Sequence, residues 1–252
     1  MHLLEKIYNS RNTLRKILDN EWNTEDINDF SLKELEVMYK TENINNYISS
    51  GCNFTLTHKF IPSHKLHVIY YNFPELHRKT TKINKTCCDK LASLYKKEGF
   101  EDEGTIFDPE DSLLVIINDK VSDSIVKSVE SMYHKGQNEL LTQELSSDIQ
   151  KEIKSSKFNV SKSYFRNIHL FCIDTLVHNL LEHKLVPSHK VIRDKESIQK
   201  IYGKTNSNSE LLPIILRTDP MAKLIRLCPG DICKITRMGL TSGINIYYRI
   251  CK

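Results

Sequence analysis

The alternating segment at the end of the chain constrains the fold more than any other feature of the sequence. Large apolar or aromatic residues occupy every second position there (Ile244, Ile246, Tyr248 and Ile250). A period of two is typical of a β-strand, because successive side chains of a strand point to opposite faces. The turn-forming segment 241–243 separates this run from a second β-rich segment, 232–237, so the two segments predict a hairpin.

Two proline-containing signals precede this hairpin. Asp219 is a good helix N-cap, and Pro220 follows at the first helical position, where its missing N–H breaks no helical hydrogen bond. Pro229 and Gly230 predict a type II turn, because proline fixes φ and glycine accepts the positive φ of the next position. The closing forty residues therefore predict a small α+β module that ends in a hairpin.

Composition is typical of a folded, soluble chain. Its 252 residues allow one domain or two, and 39% apolar and 27% charged residues are compatible with a packed core. No stretch of about eighteen apolar residues predicts a membrane-spanning helix, and the first residues lack the layout of a signal peptide. The seven cysteines form no Cys-x-x-Cys pair, which predicts reduced cysteines in an intracellular protein and no structural zinc.

Seven short fragments between residues 185 and 251 share their order and separations with one known family. The fragments are Leu185-Val186-Pro187-x-His189, Leu212-Pro213, Asp219-Pro220-x-Ala222, Gly230, Lys234-Ile235-x-Arg237, Thr241-Ser242-Gly243 and Tyr248-Arg249-Ile250-Cys251. Together they resemble the assembly domain of the fifth-largest subunit of eukaryotic RNA polymerases, which has a counterpart in the archaeal enzyme. A single Asp-Pro pair would carry no weight, but an ordered set of this length is hard to reach by chance.

The resemblance implies two domains. Residues 1–182 are expected to form a jaw domain, a mixed sheet flanked by helices with a nuclease-like core. Residues 183–252 are expected to form the α+β assembly domain, and Pro187 marks its start because it biases Val186 to an extended conformation. The chain is then a non-catalytic subunit of a DNA-directed RNA polymerase, with no cofactor, no metal, no small-molecule substrate and no membrane contact of its own.

Periodicity gives a coarse map of the elements. Five helices are predicted. The first covers 2–20, and the second begins at a capping box formed by Ser31 and Glu34. The others run from Leu91 to a stop at Gly99, over 121–132, and over 194–203 with a stop at Gly203. The predicted strands are 60–61, 66–71 and 113–117, the last buried on both faces. Residues 42–58 are predicted to be a loop or a frayed edge, and 134–162 a solvated helix with an insertion. Segment 165–181 has helical spacing, but the resemblance favours a strand near 176–181, and we predict the strand.

The resemblance also assigns roles to the C-terminal residues. In the family, this domain packs on the largest polymerase subunit and anchors the jaw. The candidate contacts are side chains whose chemistry exceeds what a turn or a core requires: Lys234, Arg237, Tyr248 and Arg249. The residues expected to shape the fold are Pro187, Asp219, Pro220, Gly230 and Gly243.

The family's jaw approaches downstream duplex DNA, and one basic stretch of this chain suits such a role. The candidate DNA-facing residues are Arg78, Lys79, Lys82 and Lys85. A net charge of +4 is compatible with a modest phosphate-facing patch and does not require nucleic acid. A DNA-binding adaptor outside the polymerase is therefore one alternative.

A metal-dependent nuclease is the other alternative, because such enzymes combine an Asp with a Glu-x-Lys motif on neighbouring strands. Glu152-x-Lys154 and Glu182-x-Lys184 fit the second part of the motif. The first lies in a polar segment and the second at the domain boundary, and neither follows an Asp on a convincing strand. We therefore predict no catalytic residue.

Several positions depart from the family pattern. The family usually has a basic residue where Ile214 stands, a polar one at Leu216 and a glycine at Arg226. These differences predict a divergent member, of the kind that a parasite or a large DNA virus encodes. Its compartment would be the nucleus for a cellular subunit, and the cytoplasm or the virion for a viral one.

Overall fold

A computed structural model of the chain describes residues 2–27, 29–40, 51–71, 85–95, 107–156, 158–206, 208–239, 241 and 243–252. The chain forms two compact units, one made of residues 1–146 and 165–178 and the other of residues 147–164 and 179–252. Segment 147–164, which the sequence prediction assigned to the N-terminal domain, therefore belongs to the second unit. Each unit contains a four-stranded sheet with helices, which confirms the predicted α+β fold class.

The first unit is built on a mixed sheet with the strand order β1-β2-β3-β4. Its strands are β1 (Phe54–Thr57), β2 (Lys65–Tyr71), β3 (Ser112–Ile117) and β4 (Ile168–Cys172). Strand β1 is antiparallel to β2, whereas β2, β3 and β4 run parallel. All residues of β3 are buried, as its unbroken apolar run predicted.

Helices of the first unit are numbered along the whole chain. They are α1 (Leu3–Leu18), α2 (Leu32–Lys40), α3 (Lys85–Ser93), α4 (Asp123–Thr142) and α6 (Ile173–Leu176). The predicted capping box opens α2: the Ser31 N–H donates to Glu34 Oε2 at 2.7 Å, and the Glu34 N–H donates to Ser31 Oγ at 3.3 Å. Leu35 is buried inside the unit, while Leu32 is exposed.

Three local predictions in the first unit were wrong. Strand β1 lies inside segment 42–58, predicted as a loop or a frayed edge, because pairing with β2 stabilises a polar segment as a regular edge strand. The predicted strand 60–61 is a turn, in which His58 Nδ1 accepts the N–H groups of Phe60 and Ile61. Helix α3 starts at Lys85 and contains Leu91, whereas Gly99 lies outside the described residues.

The last strand of this sheet also lies elsewhere than predicted. Strand β4 covers 168–172, and the segment predicted as a strand, 176–181, contains the end of α6 and the start of a short 3-10 turn, Leu180–Glu182. The buried His169 interrupts the apolar run of β4. This polar residue conceals the strand's pattern in the sequence, and the alternative helical prediction was correct only for α6.

The second unit has the strand order β5-β7-β8-β6. Its strands are β5 (Ser188–Ile192), β6 (Ile214–Ile215), β7 (Ile232–Gly239) and β8 (Gly243–Cys251), and its helices are α5 (Ser147–Ser155), α7 (Lys195–Thr205) and α8 (Pro220–Leu224). Strands β7 and β8 form the predicted hairpin. Helix α7 is capped by Asp194 as predicted, but it continues through Gly203 and ends at Asn206, whose φ is 45°.

None of the helices in the described part of the chain is long and apolar enough to cross a membrane.

Candidate protein-interaction surface

The residues expected to shape the fold lie at a helix cap, at turns and before a strand of the second unit. The Asp219 carboxylate accepts the N–H groups of Met221 and Ala222, at 2.8 and 3.4 Å, and Pro220 occupies the first turn of α8. Gly230 and Gly243 have φ values of 95° and 69°, which disfavour other residues. Pro187 directly precedes β5. Their role in shaping the fold stays a prediction.

The four candidate contact residues divide between the two faces of the hairpin. Lys234 and Tyr248 are cross-strand partners on one face, and both are half-buried. Arg237 and Arg249 are exposed on the other face. The Arg237 guanidinium lies 5.7 Å from the ring centroid of Tyr247, and Arg249 Nη1 donates to the carbonyl of Ile214 at 2.9 Å. The structure thus does not bring the four residues together into one cluster, and their role stays a prediction.

The outer half of the hairpin exposes large apolar side chains that were not singled out from the sequence. Met238 is 83% exposed, and its cross-strand partner Ile244 is 65% exposed. Ile246 and Tyr247 follow at 47% and 49%. Helix α7 covers the base of the hairpin on one face. The alternating pattern of β8 does not show how far this cover extends, so it cannot distinguish exposed apolar residues from buried ones. Exposed apolar side chains next to one another mark interaction sites.

Two of the departures from the family pattern lie beside the end of β8. Ile214 and Leu216 are 46% and 61% exposed, although both are apolar. Ile214 is opposite Ile250 in the short parallel pairing of β6 with β8. The exposed apolar surface of the second unit therefore includes β6 as well as the hairpin.

A buried ion pair lies at the base of the hairpin, where Asp231 directly precedes β7. Arg193 Nη2 lies 2.6 Å from Asp231 Oδ2, and the Arg193 and Asp231 side chains are 1% and 10% exposed. The same carboxylate accepts the N–H of Cys228 at 2.8 Å, and Arg193 Nη2 also donates to the carbonyl of Arg226 at 3.1 Å. The Arg193 guanidinium lies 4.7 Å from the ring centroid of Tyr164, which joins segment 147–164 to this network.

Arg226, one of the predicted departures from the family pattern, has a positive φ. Its φ of 53° lies in the left-handed region that favours glycine, the residue that the resemblance predicts at this position. Its side chain is buried. The turn geometry is therefore kept with a residue that is less suited to it, at a cost of about 1 kcal/mol.

The cysteines of the second unit are packing residues. Burial raises the pKa of the Cys233 thiol to about 11 and that of Cys251 to about 12. Burial also raises the pKa of Cys228. These thiols stay protonated at neutral pH and are poor nucleophiles and poor metal ligands. The described residues contain no group of three or more His, Cys, Asp or Glu side chains that could hold a metal ion.

Comparison with known proteins addresses the same part of the chain. The model of the family described as RNA polymerase Rpb5, C-terminal domain, matches residues 178–251. The DNA-directed RNA polymerase subunit Rpo5 of Methanosphaera stadtmanae is 42% identical over 74 residues, which are 29% of this chain and 95% of that protein. The chain belongs to the Rpb5 family. This membership confirms the resemblance seen in the seven sequence fragments.

Other relatives with the same subunit name match segments of similar length. The Rpo5 subunit of Archaeoglobus fulgidus is 44% identical over 71 residues, 28% of this chain and 92% of that protein. The Rpo5 subunit of Sulfurisphaera tokodaii is 44% identical over 68 residues, 27% of this chain and 80% of that protein. These matches are about as long as the C-terminal part of the second unit, which carries the hairpin.

The remaining candidate residues lie in other places. Arg78, Lys79 and Lys82 are outside the described residues, and Lys85 is the first residue of α3. Of the two nuclease-like motifs, Glu152 lies on helix α5 and Glu182 in the 3-10 turn. Neither glutamate is on a strand, so the arrangement of carboxylates on neighbouring strands that a metal-dependent nuclease requires is not formed by these motifs.

Proposed function

We propose that this chain is a non-catalytic subunit of a multi-subunit DNA-directed RNA polymerase and that its hairpin anchors it to the largest subunit. Membership of the Rpb5 family supports the first part, because the relatives are named as subunits of that enzyme. The exposed outer half of the hairpin supports the second part. An isolated domain gains nothing from exposing Met238, Ile244 and Ile246 together, whereas a subunit interface buries such residues.

The charged residues indicate which side chains of the hairpin contact the partner directly. Arg237 and Arg249 are exposed on the face of the hairpin opposite Lys234. Arginine is enriched where protein interfaces carry most of their binding energy, since its guanidinium combines an apolar plane with several donors. We assign Arg237 and Arg249 to direct contacts, and Lys234 and Tyr248 to the rim where α7 meets the sheet.

The first unit is the part we assign to downstream duplex DNA. Its mixed sheet with flanking helices has the layout expected of the jaw. The basic stretch around residues 78–90 is the source of phosphate contacts in this proposal, because backbone contacts need Lys and Arg. The subunit would work in the compartment of its polymerase, the nucleus for a cellular enzyme and the cytoplasm or virion for a viral one.

Affinity purification from the source tests the proposal. A tagged copy of the full chain should co-purify with the two largest polymerase subunits in near-equal amounts, as quantified by mass spectrometry. Absence of both large subunits from the purified material would overturn the proposal. Cleavage of DNA by the chain alone with a divalent metal, abolished by Glu152→Gln or Glu182→Gln, would support the nuclease instead.

Reversal of one charge tests the position of the interface. Arg249→Glu should reduce the recovery of the large subunits about tenfold, because it places a negative charge where the partner is complementary to a positive one. Lys200→Glu is the matched control: it makes the same charge change on α7, at a side chain that is 72% exposed. Equal recovery with both variants would remove Arg249 from the interface.

A further inference from the structure

Strand β8 has an open edge over most of its length. On one side it pairs with β7 from Gly243 to Ile250. On the other side, within the part of the chain that the structure describes, it pairs with β6 only at Ile250 and Cys251. Among the described residues, no strand therefore neighbours the outer edge of β8 between residues 244 and 248.

The hydrogen bonds at the paired end show which backbone groups point outward. The N–H groups of Ile250 and Lys252 donate away from β7, to Pro213 and Ile215, at 2.8 and 3.0 Å. The N–H of Cys251 points the other way and donates to Asp231 at 2.9 Å. Because successive residues of a strand alternate in direction, the N–H and C=O groups of residues 244, 246 and 248 also point outward.

The side chains along this edge have two different characters. The even-numbered residues Ile244 and Ile246 share a face with Met238, and these three exposed side chains are apolar; Lys234 and Tyr248 lie on the same face, farther from the turn. The odd-numbered residues share a face with exposed arginines, Arg237 and Arg249. Strands β7 and β8 together carry three cations, Lys234, Arg237 and Arg249, and no Asp or Glu. The outer part of the edge is thus apolar on one face, and the other face carries the two exposed arginines, Arg237 and Arg249.

We propose that the outer edge of β8 from Ile244 to Tyr248 accepts an extended segment of a large polymerase subunit, in which apolar and acidic residues alternate. The inference rests on the proposed function and specifies the chemistry of the partner. Added in line with β6, about five residues would pair with the open edge. Residues opposite Ile244 and Ile246 would be apolar, and those on the other face acidic, toward Arg237 and Arg249.

Two other occupants are less complementary to the backbone groups and charges of this edge. A helix packed on the apolar face would leave the outward N–H and C=O groups of residues 244, 246 and 248 without partners when they are buried, which is unfavourable. A second copy of this chain, paired through its own β8, would bring the arginines of both copies together, with no acidic residue on either hairpin. Charge complementarity therefore favours an acidic segment from a different protein.

A proline substitution separates backbone pairing from side-chain contact. Ile246→Pro removes an outward N–H and leaves the hydrogen bonds to β7 in place, so the hairpin should still form, as edge strands tolerate proline. Ile246→Ala is the matched control, because it removes most of the side chain and keeps the N–H. We expect the recovery of the large subunits to fall at least about tenfold with proline and by a smaller factor with alanine.

Hydrogen exchange of the full chain, alone and within the purified polymerase, provides the direct readout. The amides of Ile244, Ile246 and Tyr248 should exchange rapidly in the free chain and be protected in the complex. If wild-type chain binds the polymerase but these amides stay unprotected, or if Ile246→Pro binds as well as Ile246→Ala, the edge proposal fails and the proposed function stands. If wild-type chain recovers no polymerase subunit, the proposed function itself fails. Protection in the free chain that rises with its concentration would identify a second copy as the occupant and overturn the proposal.

Discussion

The two sheets of this protein differ in how far their apolar residues are buried. In the first unit, all residues of β3 are buried, and four of the five residues of β4 are buried. In the second unit, β7 and β8 are buried at their base and exposed toward the turn, where Met238 and Ile244 meet. The central strands of the first sheet are covered within the unit, whereas the second sheet leaves the outer part of its hairpin exposed.

This difference indicates where the unit's stability and its binding reside. The base of the hairpin is held by core residues such as Cys233, Ile235 and Cys251, and by the Arg193–Asp231 pair. The outer half contributes little burial and carries the open edge. A change at the base should unfold the unit, and a change in the outer half should affect only association. Substitutions in the two halves test this separation, beginning with the largest expected effect.

Removing one partner of the buried ion pair should have the largest effect on stability. Asp231→Ala leaves the Arg193 guanidinium, which is 1% exposed, without its carboxylate. Loss of one partner of a buried pair costs about 3–5 kcal/mol, so urea unfolding should show a decrease of that size. Combining it with Arg193→Met should restore part of the loss, since no buried charge then remains. A decrease below about 1 kcal/mol for Asp231→Ala would show that the pair does not support the hairpin.

Matched truncations in the two sheets compare the buried and exposed apolar residues directly. Leu113→Ala on β3 removes a fully buried side chain and should lower the free energy of unfolding by about 3 kcal/mol. Ile244→Ala on β8 removes a side chain that is 65% exposed and should change it by less than about 0.5 kcal/mol. A large loss of stability with Ile244→Ala would mean that the outer half of the hairpin is part of the core.

The smallest predicted effect lies in the first unit, at the start of α2. The backbone N–H of Ser31 bonds to the Glu34 carboxylate and lowers the pKa of Glu34 below its ordinary value. A lowered pKa in the folded state stabilises the protein above the unfolded value of about 4.5, and this contribution is lost as the pH falls through the folded value. Wild-type protein should be slightly more stable than Glu34→Gln in urea at neutral pH, and the difference should disappear in acid. A constant difference at all pH values would contradict a role for the charge.

Local signals made the C-terminal unit predictable in large part. Asp219 and Pro220 define the start of α8 within two residues, and the alternation from Ile244 onward defines β8. Each depends on neighbours in the sequence, so no tertiary information was needed. By contrast, β1 exists because it pairs with β2, and β4 contains a buried histidine, His169, that conceals its pattern.

The candidate interaction surface was only partly predictable, for a similar reason. The sequence indicated Arg237 and Arg249 through their chemistry, but it could not show that Ile246 extends beyond the covering helix. Nor could it show that Arg193 pairs with Asp231, because the two residues are 38 positions apart. Burial and pairing over such separations are properties of the tertiary structure.

Photo-cross-linking from the hairpin tests the central claim most directly. A benzophenone-bearing residue in place of Ile246 should cross-link to a large polymerase subunit in the purified complex, and mass spectrometry would identify the linked peptide. Position Val37 on α2 is the control, since its side chain is also exposed, at 68%. We expect a product with an acidic, extended segment of a large subunit from position 246 and no such product from position 37. Cross-linking to the largest subunit from position 37, with none from position 246, would contradict anchoring through the hairpin.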